Sequence, residues 1–221
     1  MPCKVDRMDA AALRVTTPPV TASTAPASVA GTPGRPRSEA ARRAILDAGL
    51  RLAVRDGYQA VTIKGIAQEA GVGRQTIYRW WTTKAAVLLE AVCELAGTAG
   101  RPPLTGDAEQ DLRALLRATY VLAGMVGPTI AGLMAESTHD PGFAAELQRE
   151  LLAPRRELVR QILEAGQRDR RLGRDAGLDL VVDMVWGTMW YRILSGHNPV
   201  EPALADEITG AVVRLLGRVR E

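Results

Sequence analysis

The 221-residue sequence is poor in the residue types that usually carry chemistry: two cysteines, two histidines, one phenylalanine and three lysines. Cys3 and Cys93 stand far apart, which suggests neither a disulfide nor a metal site and fits a reducing, cytoplasmic setting. His139 and His197 belong to no H-x-x-x-H or H-E-x-x-H pattern, and no G-x-S-x-G elbow is present. No catalytic residue, metal or cofactor is therefore expected, and the chain reads as a non-enzyme. A secretory leader is also missing: Lys4, Asp6, Arg7 and Asp9 interrupt the start, and Thr, Pro and Ala follow where an apolar run would be needed. One uncharged run does reach membrane-spanning length, "ATYVLAGMVGPTIAGLMA" between Arg117 and Glu136. Gly124, Gly127, Pro128 and Gly132 break it up, so the expectation is two short buried helices meeting end to end, with no membrane partner.

With so little lysine, the positive charge is almost all arginine, the side chain whose planar fork suits phosphate and base edges. That charge is unevenly placed. Residues 1–34 carry a net +1, residues 35–84 a net +6 and residues 85–221 a net −4. One short segment is thus suited to a polyanion and the remainder is not.

Residues 1–33 are rich in Thr, Pro, Ala and Ser with few large apolar groups, so they cannot offset their ordering entropy and read as a disordered tail. Helical spacing begins at Ser38, a plausible N-cap, and runs through Ala41, Ile45, Ala48 and Leu52 to Gly57. Thr62 caps a short helix over 63–70, a third helix spans 74–80, and Thr82 or Thr83 caps a fourth through Lys84, Val87, Leu88 and Val92. After a Gly/Pro-rich break at 97–106, helices are expected near 109–123, 128–137, 141–168 with a break at Pro154, 176–195 and 202–219. No segment shows sustained strand alternation, so the fold class is all-α.

The stretch Gly71 to Trp81, "GVGRQTIYRWW", concentrates the most information. A phosphate loop is excluded, because a dinucleotide fingerprint needs a third glycine and a P-loop needs a terminal Gly-Lys-Ser/Thr. A helix-turn-helix fits instead. Two short helices crossing steeply need a small residue at the contact, a glycine at the reversal and an apolar residue on the second helix, and Ala67, Gly71 and Ile77 supply these. Ile63, Ile66 and Val72 add packing. Arg74, Gln75, Thr76, Tyr78 and Arg79 are then left mostly outward, a chemistry matching major-groove readout: Arg for guanine, Gln for adenine, Thr and Tyr for phosphate or methyl groups.

The text from "RRAILDAGLRLAVRDGYQAVTIKGIAQEAGVGRQTIYRWWTTKAAVLLEAV" resembles the DNA-binding domain of the TetR (tetracycline-repressor) family. The resemblance implies a three-helix helix-turn-helix domain over 34–84 and a helical effector-binding and dimerisation domain over 85–221. It also implies that Tyr78 and Trp80 lie against phosphates while Trp81 packs in the core, with Trp80 equally able to be core. Two positions depart from the family pattern. Gly73 replaces the usual Ser or Thr N-cap of the recognition helix, and Trp80 and Trp81 replace a His or Tyr followed by Phe.

Around that helix, Lys84 opens the fourth helix, where its ammonium and the free amides suit a phosphate oxygen. Thr62 and Lys64 open the second and are expected on the other strand's backbone, Thr62 capping as well. "GRPR" at 34–37 could insert Arg35 and Arg37 into a narrow minor groove, or be a solvated arm.

In the acidic remainder, "GLDLVVDMVWGTMWYRILS" over 177–195 is apolar nearly all round, with a narrow stripe of Asp179, Asp183 and Gly187. The last helix adds Leu204, Ile208, Ala211, Val212, Leu215 and Val219. Two helices with surplus apolar faces suggest a two-fold homodimer closed by four helices, which the family resemblance also implies. Tyr120, Met125, Met134, His139, Phe143, Trp186, Met189 and Trp190 are candidates to line a cavity for a small hydrophobic effector, against the alternative of plain core filling. The resulting expectation is a DNA-operator-binding transcriptional regulator, a repressor released by its effector. The rival reading is a small-molecule-binding helical protein with a vestigial head.

Overall fold

A computed structural model describes residues 35–98, 104–169, 172–173 and 177–217. The expected tail over 1–33 lies outside the described residues. Nine α-helices occur among those described: α1 Arg35–Asp56, α2 Ile63–Glu69, α3 Arg74–Tyr78, α4 Lys84–Thr98, α5 Ala108–Ser137, α6 Pro141–Leu147, α7 Ala153–Arg168, α8 Leu178–Ser195 and α9 Ala203–Leu216. No strand is present among them, and the all-α fold with an N-terminal helix-turn-helix is observed.

Three boundaries differ from expectation. Helix α1 starts at Arg35, so Ser38 lies inside its first turns and does not cap it. Pro36 permits this, since a proline near a helix start forfeits an amide that has no partner there. Helix α3 ends at Tyr78, and the amides of Trp80 and Trp81 both return to the Ile77 carbonyl at 3.0 Å, tightening the chain into a turn.

The third difference is the largest. The run expected as two helices is one, α5, with Pro128 inside it. Pro128 removes one helix hydrogen bond, but buried side chains on both sides of it, from Leu112 and Leu116 to Ile130 and Leu133, are held by neighbours all along the helix. Burial of two halves in one rigid element outweighs the lost bond. Helix α5 is long and apolar enough to cross a membrane, yet half of its most apolar window is buried inside the molecule, where it packs on α1, α4, α6, α7, α8 and α9. The expected break at Pro154 appears as a π-helical turn, Gln148–Leu152, between α6 and α7. Pro154 has no N–H to return to the Glu150 carbonyl four residues earlier, and that carbonyl accepts the Cys93 thiol at 3.6 Å.

Two apolar clusters form the interior. One joins α1–α4 to α5 and α6 through Ile45, Ile66, Ile77, Trp81, Leu88, Val126, Leu133 and Phe143. The other joins α5, α7, α8 and α9 through Leu116, Tyr120, Leu163, Val185, Trp186 and Leu216. Helix α4 therefore belongs by packing to the head and, through its contacts with α5, to the body.

Candidate nucleic-acid interface and effector cavity

The reading head is built by short-range chemistry. Thr62 caps α2, its hydroxyl accepting from the Gly65 amide at 3.0 Å. Gly71 reverses the chain at φ 67°, a conformation that disfavours any residue with a Cβ. Gly73 caps α3 without a side-chain hydrogen bond, the weak cap expected of glycine. Ile77 is fully buried under α3, which leaves Arg74, Gln75, Tyr78 and Arg79 exposed and Thr76 half-buried. Lys64 is exposed on α2, and a groove between α2 and α3 is lined by Lys64, Gln68, Val72 and Arg74.

The two adjacent tryptophans divide their roles. Trp81 is buried, and its indole N–H donates to Glu90, which also pairs with Arg42. Trp80 is half-buried and meets Trp81 edge-on, centroids 5.3 Å apart and planes at 80°, a favourable aromatic geometry. Arg42 reaches Glu94 at 2.6 Å as well, so α1 and α4 are clamped by one guanidinium whose pKa is raised by its hydrogen bonds to the two glutamates against the opposing effect of burial.

Lys84 is more engaged than its sequence position suggests. Its ammonium donates to the carbonyls of Tyr58 at 3.0 Å and Gln59 at 3.3 Å, and lies 4.6 Å from the Tyr58 ring centre. Two of its three donors thus hold the head together, and one is left for an outside acceptor. Thr83, rather than Thr82, caps α4 by accepting from the Ala86 amide at 3.1 Å. The backbone of Arg35 to Arg37 is wound into α1 instead of forming a separate arm, and the side chains of Arg35 and Arg37 lie outside the described residues.

Below the head, a cavity of about 290 Å³ opens between α4, α5, α7 and α8, walled by Ala96, Leu115, Leu122, Leu151 and Trp186. A second opening of about 570 Å³ shares Trp186 with it and adds Met134 and Trp190. Met189 and Trp190 line a smaller space of about 20 Å³, which shares Leu122 and Leu151 with the first cavity and Trp190 with the second opening. Of the expected cavity residues, Met134, Trp186, Met189 and Trp190 are brought together. The other four are not. Met125 is about half exposed on the outer face of α5 beside Val121, because the unbroken helix turns that face to solvent. His139 is exposed in the turn joining α5 and α6, where its amide bonds the Glu136 carbonyl. Phe143 packs into the head-side cluster. Tyr120 is wholly buried in the body core next to the cavity but does not line it, and burial pushes its hydroxyl pKa up to about 12.

Cys93, Thr119 and Arg155, which no sequence pattern marks, also stand on the cavity wall. Arg155 lines all three spaces, and Thr119 two of them. Burial pushes the Cys93 thiol up to about 11, so it is protonated at neutral pH and is not a poised redox group. Among the described residues no cluster of His, Cys, Asp or Glu could hold a metal.

Residues 45–91 match the model of the bacterial regulatory proteins of the tetR family, and residues 102–212 match the tetracyclin repressor-like C-terminal domain. The chain belongs to the TetR family. An uncharacterized HTH-type transcriptional regulator of Bacillus subtilis, YdeS, is 32% identical over 82% of this chain and 88% of its own length. Among solved structures, the TetR family transcription regulator SCO0332 superposes with a TM-score of 0.63 at 27% identity, covering 80% of this chain and 96% of that one. Thermus thermophilus FadR, a TetR family repressor in complex with lauroyl-CoA, superposes with a TM-score of 0.58 at 22% identity over 81% and 96%. At that identity the likeness is one of fold. This TetR family member is a helix-turn-helix transcriptional regulator.

Proposed function

We propose that this regulator is a homodimeric repressor that leaves its operator when a small hydrophobic effector fills the cavity. The observation that carries the reading is the double duty of α4. Its first turn is tied to the head by Lys84, and its last turns, at Cys93, Ala96 and Gly97, line the cavity. A ligand that pushes on the C-terminal half of this rigid helix moves the reading head at the other end. Residues 34–84 would be the reader and 85–221 the sensor and dimer body, working in the cytoplasm.

In the bound state, α3 would lie in the major groove with Arg74, Gln75 and Thr76 on base edges, while Thr62, Lys64, Tyr78, Arg79, Trp80 and the remaining Lys84 donor hold phosphates. Arg35 and Arg37, at the start of α1, would meet the adjacent groove.

The dimer seam would be α8 and α9. Leu180, Met184, Tyr191 and Leu194 are each at least half exposed and, with Gly187, follow a four-three spacing along one stripe of α8. Asp183 and Asp179 face away from it, pairing with Arg156 and Arg160 of α7. A two-fold axis there pairs two heads for a near-palindromic site. The lauroyl-CoA in complex with the Thermus repressor of the same fold carries an apolar acyl chain, which supports an effector with an apolar part. To empty most operators, the effector must favour the released conformation by about 5 kcal/mol.

Selection of duplexes from a random pool by the purified protein tests the proposal. Enrichment of a dyad-symmetric sequence supports it, and a pool that stays random contradicts it.

A further inference from the structure

Helix α3 is only five residues long. A helix that short has little stiffness of its own, so its direction is set by what its ends are fastened to. The N-terminal end has no side-chain cap at Gly73. The C-terminal end is fastened twice: the amides of Trp80 and Trp81 return to the Ile77 carbonyl at 3.0 Å, and the Trp81 indole N–H donates to one carboxylate oxygen of Glu90 on α4.

The other oxygen of Glu90 pairs with Arg42 of α1, whose guanidinium also reaches Glu39 at 3.0 Å and Glu94 at 2.6 Å. Glu90 is therefore an anchored acceptor. Trp81 is 4% exposed and packs in the same apolar cluster as Ile77. Apolar packing is non-directional and holds the ring at depth, whereas a hydrogen bond to a charged acceptor is directional and fixes which way the ring turns. Trp80, edge-on to Trp81, meets that orientation directly. A phenylalanine at position 81 would fill the core with no donor, so the link is a property of the tryptophan.

The place of Glu90 along α4 matters too. Lys84 ties the opening of the helix to the carbonyls of Tyr58 and Gln59, ahead of α2. Glu90, about 9 Å further along the axis, ties it to the end of α3. The cavity wall begins at Cys93, within one more turn.

Taking α3 as the reading helix, we infer that the Glu90 carboxylate and the Trp81 indole form the link that sets the angle of α3 for operator binding. Trp81 is a positioning residue: it is buried against α4 and acts on the duplex through the helix it steers. A shift of α4 reaches α3 through this bond.

The test compares duplex affinity and melting temperature of the full chain with those of Trp81→Phe, Glu90→Leu, the double variant and Glu90→Gln, on the duplex the parent protein selects. Each of the first two is expected to weaken binding at least about fivefold, and the double variant no further than the weaker single, because both remove one interaction. Glu90→Gln keeps an oxygen for the indole and should retain most of the affinity. Glu90 is 35% exposed, so its variants carry the comparison even where Trp81→Phe fails to fold. In ¹H–¹⁵N spectra the Trp81 indole proton should move upfield in Glu90→Leu. Losses that multiply in the double variant, a Glu90→Gln protein as weak as Glu90→Leu, or a lower melting temperature with duplex affinity unchanged overturns the link and leaves α3 as the reader. A parent protein that selects no duplex overturns the reading of α3, and this inference with it.

Discussion

The Tyr58 hydroxyl donates to Oε2 of Glu136 at 3.1 Å, joining the turn ahead of α2 to the last turn of α5. The backbone carbonyl of the same residue accepts from Lys84, and its ring lies under that ammonium. Its side chain is pressed so closely on α5 that a Cβ built at Gly132 would lie 2.2 Å from Tyr58 Cγ. One tyrosine thus meets α4 and α5 together, and a displacement of either helix is felt in the head.

Gly132→Ala should therefore destabilise the protein, even though alanine is favoured over glycine in a helix by about 1 kcal/mol. The clash is with the root of a buried side chain and has no easy relief, so a net loss of about 1–3 kcal/mol is expected in urea denaturation. Tyr58→Phe keeps the packing and removes only the hydroxyl bond to a largely exposed carboxylate, a loss of about 0.5–1 kcal/mol. A stabilised Gly132→Ala protein would contradict the close docking of α5 on the head.

Gly73→Ser should stabilise the head. The backbone at Gly73 is extended, at φ −75° and ψ 146°, and a Cβ there meets nothing within 4 Å. A serine supplies the missing cap on α3 for a gain of a few tenths of a kcal/mol, on the order of 0.5. The check is amide hydrogen exchange of Thr76 and Ile77, which should slow.

Placing charge on the α8 stripe should split the dimer without unfolding the protomer. The double change Met184→Glu and Tyr191→Glu affects two exposed side chains that the protomer core does not use. Sedimentation velocity is expected to show monomers with unchanged helical circular dichroism, and operator affinity should fall with them. A dimer that survives the change would place the seam elsewhere.

Cys93 should resist thiol reagents at neutral pH. Burial holds its pKa near about 11, above the ordinary thiol value, so the thiolate that reacts is scarce below that range. Labelling by a disulfide reagent should be slow at pH 7, rise about tenfold per pH unit with the thiolate fraction, and level off only above about pH 11. Rapid labelling at pH 7 would show that the cavity wall opens.

Much of the head could be read from the residues alone because its determinants are local: a Thr62 cap, a Gly71 reversal, an Ile77 anchor. The body was legible in helix order but not in detail. Pro128 is a local signal for a break, and it was overruled by packing along α5 that no local window contains. Arg155 and Cys93 look like a solvated charge and a stray thiol until α4, α5 and α7 bring them to one wall. Met125 and Phe143 have the chemistry of cavity residues, but which way each helix faces was set by its neighbours. Lys84 is the intermediate case, rightly placed at the opening of α4 yet committed by tertiary contact to Tyr58 and Gln59.

The most direct test is the affinity of the parent protein and of Arg74→Ala for the selected duplex, by fluorescence anisotropy across a salt series. A reader built on phosphate contacts predicts a steep fall of log affinity with log salt in both proteins. Loss of discrimination against a scrambled duplex is expected in Arg74→Ala alone, worth about 1–3 kcal/mol. Absence of binding at low salt, or an Arg74→Ala protein that still discriminates fully, would contradict the placement of α3 as the DNA-reading helix.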